Sequence, residues 1–269
     1  MSDRVRQVVV TAAAVFMVVG TLFGIGVIGT RVEESSGGSL SATATLLAPA
    51  VRAFSIWSVI YAGLIAYVVW QWLPANTTSP RARRIGALAA LSMVLNGAWL
   101  LVTQVGWLWV SVLVILALAA TLGELMRRLG PPRHASAMEK VVVDGTFGLY
   151  LGWVAIATAA NITATLVASG VNPPLPVAEL LAVAVLAVAA AIGVVLGRVL
   201  DGRIGVALAM AWGLAWIAVG RLAGEPASTL TGVAAAVAAA VVLTVTGLIW
   251  LRRAGQLVPV HVHNPGGTR

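Results

Sequence analysis

Two asparagines lie within long apolar segments of this 269-residue chain, and each is close to a tryptophan. Asn96 precedes Trp99 on one segment, and Asn161 follows Trp153 on another. An unpaired amide in hydrocarbon costs several kcal/mol, so such side chains face the protein interior and bond to another helix or to a ligand. Both roles, interhelical hydrogen bonding and ligand contact, are open on this evidence.

Helical spacing groups these amides with aromatic side chains, because residues three, four, seven or eleven apart share a helix face. Three segments carry such stripes. If their faces converge, they line a cavity with flat aromatic walls and a few hydrogen-bonding groups, the usual composition of a small-molecule site. The candidate ligand-binding residues are Trp57, Tyr61, Asn96, Trp99, Tyr150, Trp153, Ala157 and Asn161.

Groups able to perform acid–base or metal chemistry are scarce. The chain has no cysteine, which excludes disulfides and thiolate metal sites. Glu124 and Asp144 lie at segment ends, and Glu179 is the one carboxylate expected to approach the bilayer interior. His261 and His263 lie in a polar tail without a third metal ligand nearby. We therefore predict no catalytic residue, no metal site and no covalently required cofactor.

Composition defines the class of protein. Sixty percent of the residues are hydrophobic, 10% are charged and the mean hydropathy is +0.98, whereas soluble proteins have about a quarter of charged residues. The basic residues are spread over short connections and form no soluble basic face, so no nucleic-acid partner is expected. The chain is predicted to be an all-α integral membrane protein whose surroundings are the lipid bilayer.

Apolar runs of about 20 residues, enough to cross a bilayer core of about 30 Å, number eight. The predicted transmembrane helices cover approximately residues 8–28, 53–73, 85–104, 107–126, 146–169, 177–197, 204–220 and 229–251.

The basic residues predict the orientation of these helices. With eight crossings, only Arg31, Arg52 and Arg221 of the 17 Lys and Arg residues fall on one side. Because basic residues are retained on the cytoplasmic side of short loops, both termini are predicted to be cytoplasmic, in a cell (cytoplasmic) membrane.

Other tryptophans and glycines have structural interpretations. Tryptophan is enriched at membrane interfaces, which we expect for Trp70, Trp72, Trp107, Trp109 and Trp250 near helix ends. Trp212 and Trp216, one turn apart, are expected to pack against the protein. Three Gly-x-x-x-Gly pairs, at residues 20 and 24, 148 and 152, and 193 and 197, predict close helix approach within the bundle or in a homodimer.

Two connections divide the chain. The loop over residues 30–52 is long enough to cover a pocket as a lid, although an ordinary surface loop fits it equally well. The stiff segment NPPLP at residues 172–176 precedes a shift towards Ala and Val. We predict a five-helix bundle over residues 1–170, an additional three-helix module over residues 171–252 and a cytoplasmic tail over residues 253–269.

Three segments resemble known signatures. Residues 54–61 (FSIWSVIY), 95–99 (LNGAW) and 150–161 (YLGWVAIATAAN) are similar, in order and spacing, to helices two, three and five of the TspO/MBR family, the tryptophan-rich sensory or translocator proteins. The resemblance covers roughly residues 8–169. It implies a five-helix bundle with a pocket for porphyrins, haem and related hydrophobic ligands, closed by the long first loop, and a possible homodimer.

The resemblance favours a sensor or carrier that binds a flat, tetrapyrrole-like molecule through the candidate residues. Porphyrin or haem would then be a ligand and not a covalently held cofactor. A secondary transporter of a small hydrophobic solute is the alternative, although the internal repeat common in transporters is not found. A membrane scaffold that binds no small ligand is a third possibility.

Overall fold

The computed structural model describes residues 2–131 and 135–256, and within these ranges the chain is helical, with no strand. Eight helices in this part are long and apolar enough to cross a membrane, which confirms the predicted class. His261 and His263 lie outside the described residues. The helices are α1 (Asp3–Gly24), α2 (Ile56–Trp72), α3 (Pro80–Gln104), α4 (Leu108–Leu129), α5 (Ala137–Ala168), α6 (Leu175–Val199), α7 (Ile204–Leu222) and α8 (Thr229–Gln256).

Capping residues move several helix ends away from the edges of the apolar runs. Ser2 and Ser79 each accept a backbone N–H through their hydroxyl groups, so α1 and α3 begin before the predicted first residues. A capping box of Ser136 and Glu139 starts α5. Helix α1 ends before residue 28 because Gly26 adopts a φ of 77°, a left-handed conformation that interrupts the helix.

Helices α1 to α5 form a closed ring. Around it, α1 packs against α2, α2 against α5, α5 against α4, α4 against α3, and α3 against α1. Helix α7 packs on the outside of α5, α8 packs on α7, and α6 packs on α8. The last three helices are therefore joined to the ring mainly through the contact between α7 and α5.

Small residues allow these helices to approach closely. A Cβ atom added at Gly20 would lie 2.9 Å from the Cα atom of Gly97, and one added at Gly152 would lie 2.2 Å from the carbonyl oxygen of Val206. The Gly-x-x-x-Gly pair at residues 193 and 197 also lies at a close helix contact, since a Cβ atom added at Gly193 would lie 2.6 Å from the side chain of Val242. The predicted close approach is confirmed, and it occurs within one chain.

Ion pairs tie the ring to the outer helices at the end where α7 begins. The carboxylate of Asp144, in α5, lies 2.8 Å from the guanidinium of Arg81, in α3, and it also pairs with Arg203 just before α7. All three side chains are at most 17% exposed. Interactions in such sheltered positions are screened less than those on an open surface, so this cluster fixes the start of α7 against the ring.

The first loop, between α1 and α2, is bonded to α3 in its first half. Gln104 donates from Nε2 to the carbonyl of Thr30 at 2.7 Å, and the hydroxyl of Ser36 donates to the carbonyl of Thr103 at 2.8 Å. The loop ends in a 3₁₀ turn, Val51–Ser55, that leads directly into α2. Its path takes it over the end of the ring where the aromatic residues converge.

Candidate ligand-binding site

The aromatic cluster begins at the start of α2. The rings of Trp57 and Tyr61, one turn apart, stack with centroids 5.0 Å apart and an interplanar angle of 20°. Trp57 also meets two rings of α5 edge-on, Tyr150 at 5.9 Å and Trp153 at 6.2 Å. Edge-to-face contacts of this kind are favourable because a positive ring edge meets a negative ring face. The aromatic stripes of α2 and α5 therefore converge, as their spacing predicted.

Asn96 and Tyr150 stabilise this aromatic cluster through buried hydrogen bonds. The Asn96 side chain is 1% exposed, and its Oδ1 atom accepts a hydrogen bond from the hydroxyl of Tyr61 at 3.1 Å. The hydroxyl of Tyr150, which is fully buried, donates to the carbonyl of Ser92 at 3.1 Å. The first contact joins α3 to α2 and the second joins α3 to α5, so both run across the ring of helices and hold the aromatic side chains of α2 and α5 in place.

Asn161 performs the same task for Trp99. Its Oδ1 atom accepts a hydrogen bond from the indole Nε1 of Trp99 at 2.7 Å. Its Nδ2 atom donates to the hydroxyl of Ser111 at 3.0 Å and of Thr165 at 3.3 Å. The amide is 2% exposed and has protein partners at both ends. Its hydrogen bonds to Trp99 and Ser111 are interhelical, and the first orients an aromatic ring of the cavity wall.

A cavity of about 470 Å³ opens between α1, α2, α3 and the first loop. Trp57, Tyr61 and Trp99 line it together with Phe54 of the 3₁₀ turn. Its volume lies in the range of about 300–1,000 Å³ typical of small-molecule sites. Two charged residues of the loop, Arg31 and Glu33, also line it, and their charged groups lie 3.7 Å apart.

A second, smaller void of about 50 Å³ lies under the first loop. Trp153, Ala157 and Asn161 of α5 form its floor, and Thr45 belongs to its loop side. Two buried polar atoms on these residues, Nε1 of Trp153 and Oγ1 of Thr45, have no hydrogen-bond partner in the protein. The void is large enough for water, which needs about 10–15 Å³ of such space.

Six of the eight candidate residues line one or both of two adjoining cavities, whereas Asn96 and Tyr150 line neither. Phe54, Trp99 and Val32 line both, so they form the partition between the large cavity and the small void. The loop residues and Phe54 were not among the predicted site residues. Phe54 stands one turn before Trp57 and was recognisable from helical spacing, whereas the loop residues have no periodic pattern to reveal them.

The remaining tryptophans fall into two groups. Trp72, Trp107, Trp109 and Trp250 are 39%, 60%, 56% and 46% exposed, as the interfacial assignment requires. The assignment is wrong for Trp70, which is 3% exposed and stacks on Tyr67 inside the bundle. Its position near a helix end does not decide its environment, because the face on which it lies points inward.

The pair formed by Trp212 and Trp216 packs as predicted. The two rings meet edge-on with centroids 5.6 Å apart, and the Nε1 atom of Trp212 donates to the carbonyl of Ala53 at 2.9 Å.

Asp144 and Glu179 both bond to other side chains in the part of the chain that the structure describes. No group of three or more His, Cys, Asp or Glu side chains there is arranged to hold a metal ion. The carboxylate of Glu179 accepts a hydrogen bond from the hydroxyl of Ser228 at 2.6 Å. That contact joins α6 to the start of α8 at a distance from both cavities, which gives Glu179 a structural role.

Comparison with known proteins agrees with this arrangement. The model of a family described as TSPO-like protein matches residues 6–249, so it includes α6, α7 and most of α8. The chain belongs to the TSPO-like protein family. It is an integral membrane protein with the aromatic cluster of a ligand-binding or sensory protein, and its family favours such a role over catalysis. Searches of curated proteins and of solved structures found no significant match.

Proposed function

We propose that this protein is a membrane-embedded binding or sensory protein for a flat hydrophobic ligand such as a porphyrin or haem. The observation that carries the proposal is the cavity of about 470 Å³, which has the stacked pair of Trp57 and Tyr61 on one side and Trp99 on another. A planar ring system gains most from such walls, because stacking on aromatic faces adds to the free energy of burying its surface.

The charges at the mouth favour a ligand with an acidic edge. Arg31 is 64% exposed on its side chain and has Glu33 as its ion-pair partner at 3.7 Å, which is a loose contact. A carboxylate on the ligand competes for this guanidinium with good geometry, since Arg binds carboxylates through two parallel hydrogen bonds. Protoporphyrin carries its carboxylates on one edge of an otherwise apolar ring, which matches an apolar cavity with a charged rim.

The cavity favours recognition of the ring over ligation of iron. Among the described residues, the lining of the large cavity contains no His, Cys or Met side chain, and these are common axial ligands of haem iron. Tyr61 lines it, but its hydroxyl donates to Asn96. Free-base protoporphyrin IX and haem are therefore expected to bind with similar affinity, through stacking and burial.

A titration of the purified protein with protoporphyrin IX tests the proposal. The absorbance of the ligand is the better signal, because the chain has ten tryptophans and only some of them line the cavities. We expect saturable binding in the wild-type protein. Replacing one wall in Trp57→Leu or Trp99→Leu is expected to raise Kd about tenfold, the equivalent of about 1.4 kcal/mol.

Trp107→Leu is the matched control, because it removes the same ring from a position that is 60% exposed at the membrane interface. Its Kd is expected to equal that of the wild type. Absence of saturable binding, or an equal loss of affinity in Trp107→Leu, would refute the proposed site.

We also propose that the protein lies in the cytoplasmic membrane with both termini in the cytoplasm. The support is the uneven distribution of basic residues, which leaves Arg31, Arg52 and Arg221 alone on the opposite side.

A further inference from the structure

Helix α7 is bonded to the second half of the first loop through a buried arginine. Arg221, near the end of α7, is 1% exposed. Its Nη1 atom donates to the carbonyl of Thr45 at 3.0 Å, and its Nη2 atom donates to the carbonyl of Ala42 at 2.9 Å. The same Nη2 atom reaches the carbonyl of Glu225 at 3.1 Å. The guanidinium thus joins the loop to α7 and to the segment that follows it.

Two further contacts extend this attachment along the loop. The backbone N–H of Ala50 donates to the carbonyl of Trp216 at 3.1 Å, and the indole of Trp212 donates to the carbonyl of Ala53 at 2.9 Å. Gly220 lies next to the loop, since a Cβ atom there would be in ordinary contact with Ala50, at 3.5 Å from its backbone nitrogen and 3.7 Å from its Cβ. The loop from Ala42 to Ala53 is therefore held to one face of α7.

This stretch of loop forms walls of both cavities. Thr45, Ala48 and Pro49 line the small void, and Val51 lines the large cavity together with Phe54, which directly follows this stretch. The attached face of α7 lies on the other side of the loop from the cavities. Its residues therefore act on a bound molecule through the position of the loop.

Two loop carbonyls satisfy donors of the buried Arg221 guanidinium, whose Nε atom has no partner of its own. A guanidinium that is removed from water costs free energy unless its donors are paired. If the loop moved away, Arg221 would lose two charged hydrogen bonds, each worth about 1.5–3 kcal/mol. Opening of the loop is thereby coupled to exposure of this arginine.

We propose that α7 is part of the binding device, with Arg221 as the positioning residue that holds the first loop closed over the cavities. Exchange of ligand with the outside is limited by release of the loop from α7. The hydrogen bonds between α7 and the loop carry the attachment, whereas control of ligand exchange rests on the proposed function.

The rate of cleavage by trypsin measures the attachment without any ligand. Trypsin cleaves after arginine, and the loop contains the peptide bond between Arg52 and Ala53. Cleavage there requires local opening, and its rate follows the population of the open form. In Arg221→Met, which keeps an apolar side chain of similar length, we expect cleavage after Arg52 to be at least about tenfold faster than in the wild type. In Arg221→Lys we expect an intermediate rate, since one ammonium can still reach a loop carbonyl.

Two controls separate loop release from general unfolding. Arg198→Met alters an exposed arginine at the far end of α6 and is expected to leave the cleavage rate after Arg52 unchanged. Cleavage after Arg31 reports on the half of the loop that is bonded to α3, and its rate should rise less in Arg221→Met.

Should Arg221→Met not fold, Trp212→Phe removes only the donor to Ala53 and must still speed cleavage after Arg52. Wild-type rates in Trp212→Phe and in any folded Arg221 variant would overturn the proposal.

The absence of native cysteine allows the loop to be locked reversibly. In the double variant Ala50→Cys, Gly220→Cys, the Cβ atoms would be 3.7 Å apart, within the range of about 3.5–4.5 Å of disulfides. Bound protoporphyrin IX is expected to leave the oxidised protein at least about tenfold more slowly than the same protein after reduction. The single variant Ala50→Cys should be indifferent to reduction.

Equal release rates before and after reduction of a fully formed disulfide would refute control of exchange by α7. If the wild-type protein binds no protoporphyrin IX, the proposed function fails. The trypsin rates then decide by themselves whether α7 holds the loop.

Discussion

Asn161 accepts a hydrogen bond from the indole of Trp99 and donates to the hydroxyls of Ser111 and Thr165, so its amide is satisfied by the protein itself. It also lines the small void. Of the two roles that the sequence left open, the structure shows interhelical bonding for Asn161, and ligand contact stays a prediction. At the residue scale, buried polar side chains bond to the aromatic residues of the cavity wall and fix the orientation of their rings.

We expect Asn161→Leu to lower the free energy of unfolding by about 1–3 kcal/mol, since the indole N–H of Trp99 and the Ser111 hydroxyl lose a buried partner. It should also weaken protoporphyrin IX binding, because the Trp99 ring is no longer held. Thermal unfolding in detergent and the ligand titration measure the two effects. Thr163→Val is the control, as that hydroxyl bonds only to the carbonyl of Ala159 within α5. Wild-type stability in Asn161→Leu would contradict this account.

At the scale of the elements, the contact between α5 and α7 decides how the outer helices join the ring. Gly148 and Gly152 allow α5 to lie directly against the start of α7, near Gly205 and Val206. The same helix α5 carries Trp153 and Asn161 on its other faces, towards the cavities. Packing on one side of α5 therefore supports the site on the other.

Gly152→Ala is expected to destabilise the protein by about 1–3 kcal/mol, because the added methyl group would lie 2.2 Å from the carbonyl of Val206 and would push α7 away. The melting temperature in detergent reports this change. The matched control is Gly123→Ala on α4, where nothing lies within 4 Å of the added Cβ atom. That variant should be as stable as the wild type or slightly more so, since Ala favours helix. Equal melting temperatures for the two variants would contradict the close packing.

At the scale of the whole molecule, buried charged residues lie at both ends of α7. Arg203 stands just before α7 with Asp144, and Arg221 stands near the other end of the same helix with the first loop. The predicted division of basic residues between two faces is consistent with this placement. The Gly-x-x-x-Gly pairs are used inside the chain, so a homodimer, which stays a prediction, would need another surface.

Single cysteines test the orientation, because the wild-type chain has none. A membrane-impermeant maleimide should label Glu34→Cys, in the exposed first loop, on intact cells. Pro131→Cys, after α4, should be labelled only when the membrane is permeabilised, since its neighbours are basic and are expected to be cytoplasmic. The wild-type protein controls for background. The reverse pattern, or equal labelling of both, would contradict the predicted topology.

The sequence by itself determined the class, the number of membrane-spanning helices and the aromatic stripes of α2, α3 and α5. A segment in hydrocarbon must satisfy its backbone hydrogen bonds internally, as an apolar helix does, and a helix converts residue spacing directly into a shared face. Only the tertiary structure decided which stripes meet and what covers them. The division into two cavities, the partners of Asn161 and the attachment of the loop by Arg221 all depend on residues far apart in the chain. No local pattern encodes them, because they follow from which helix faces pack together.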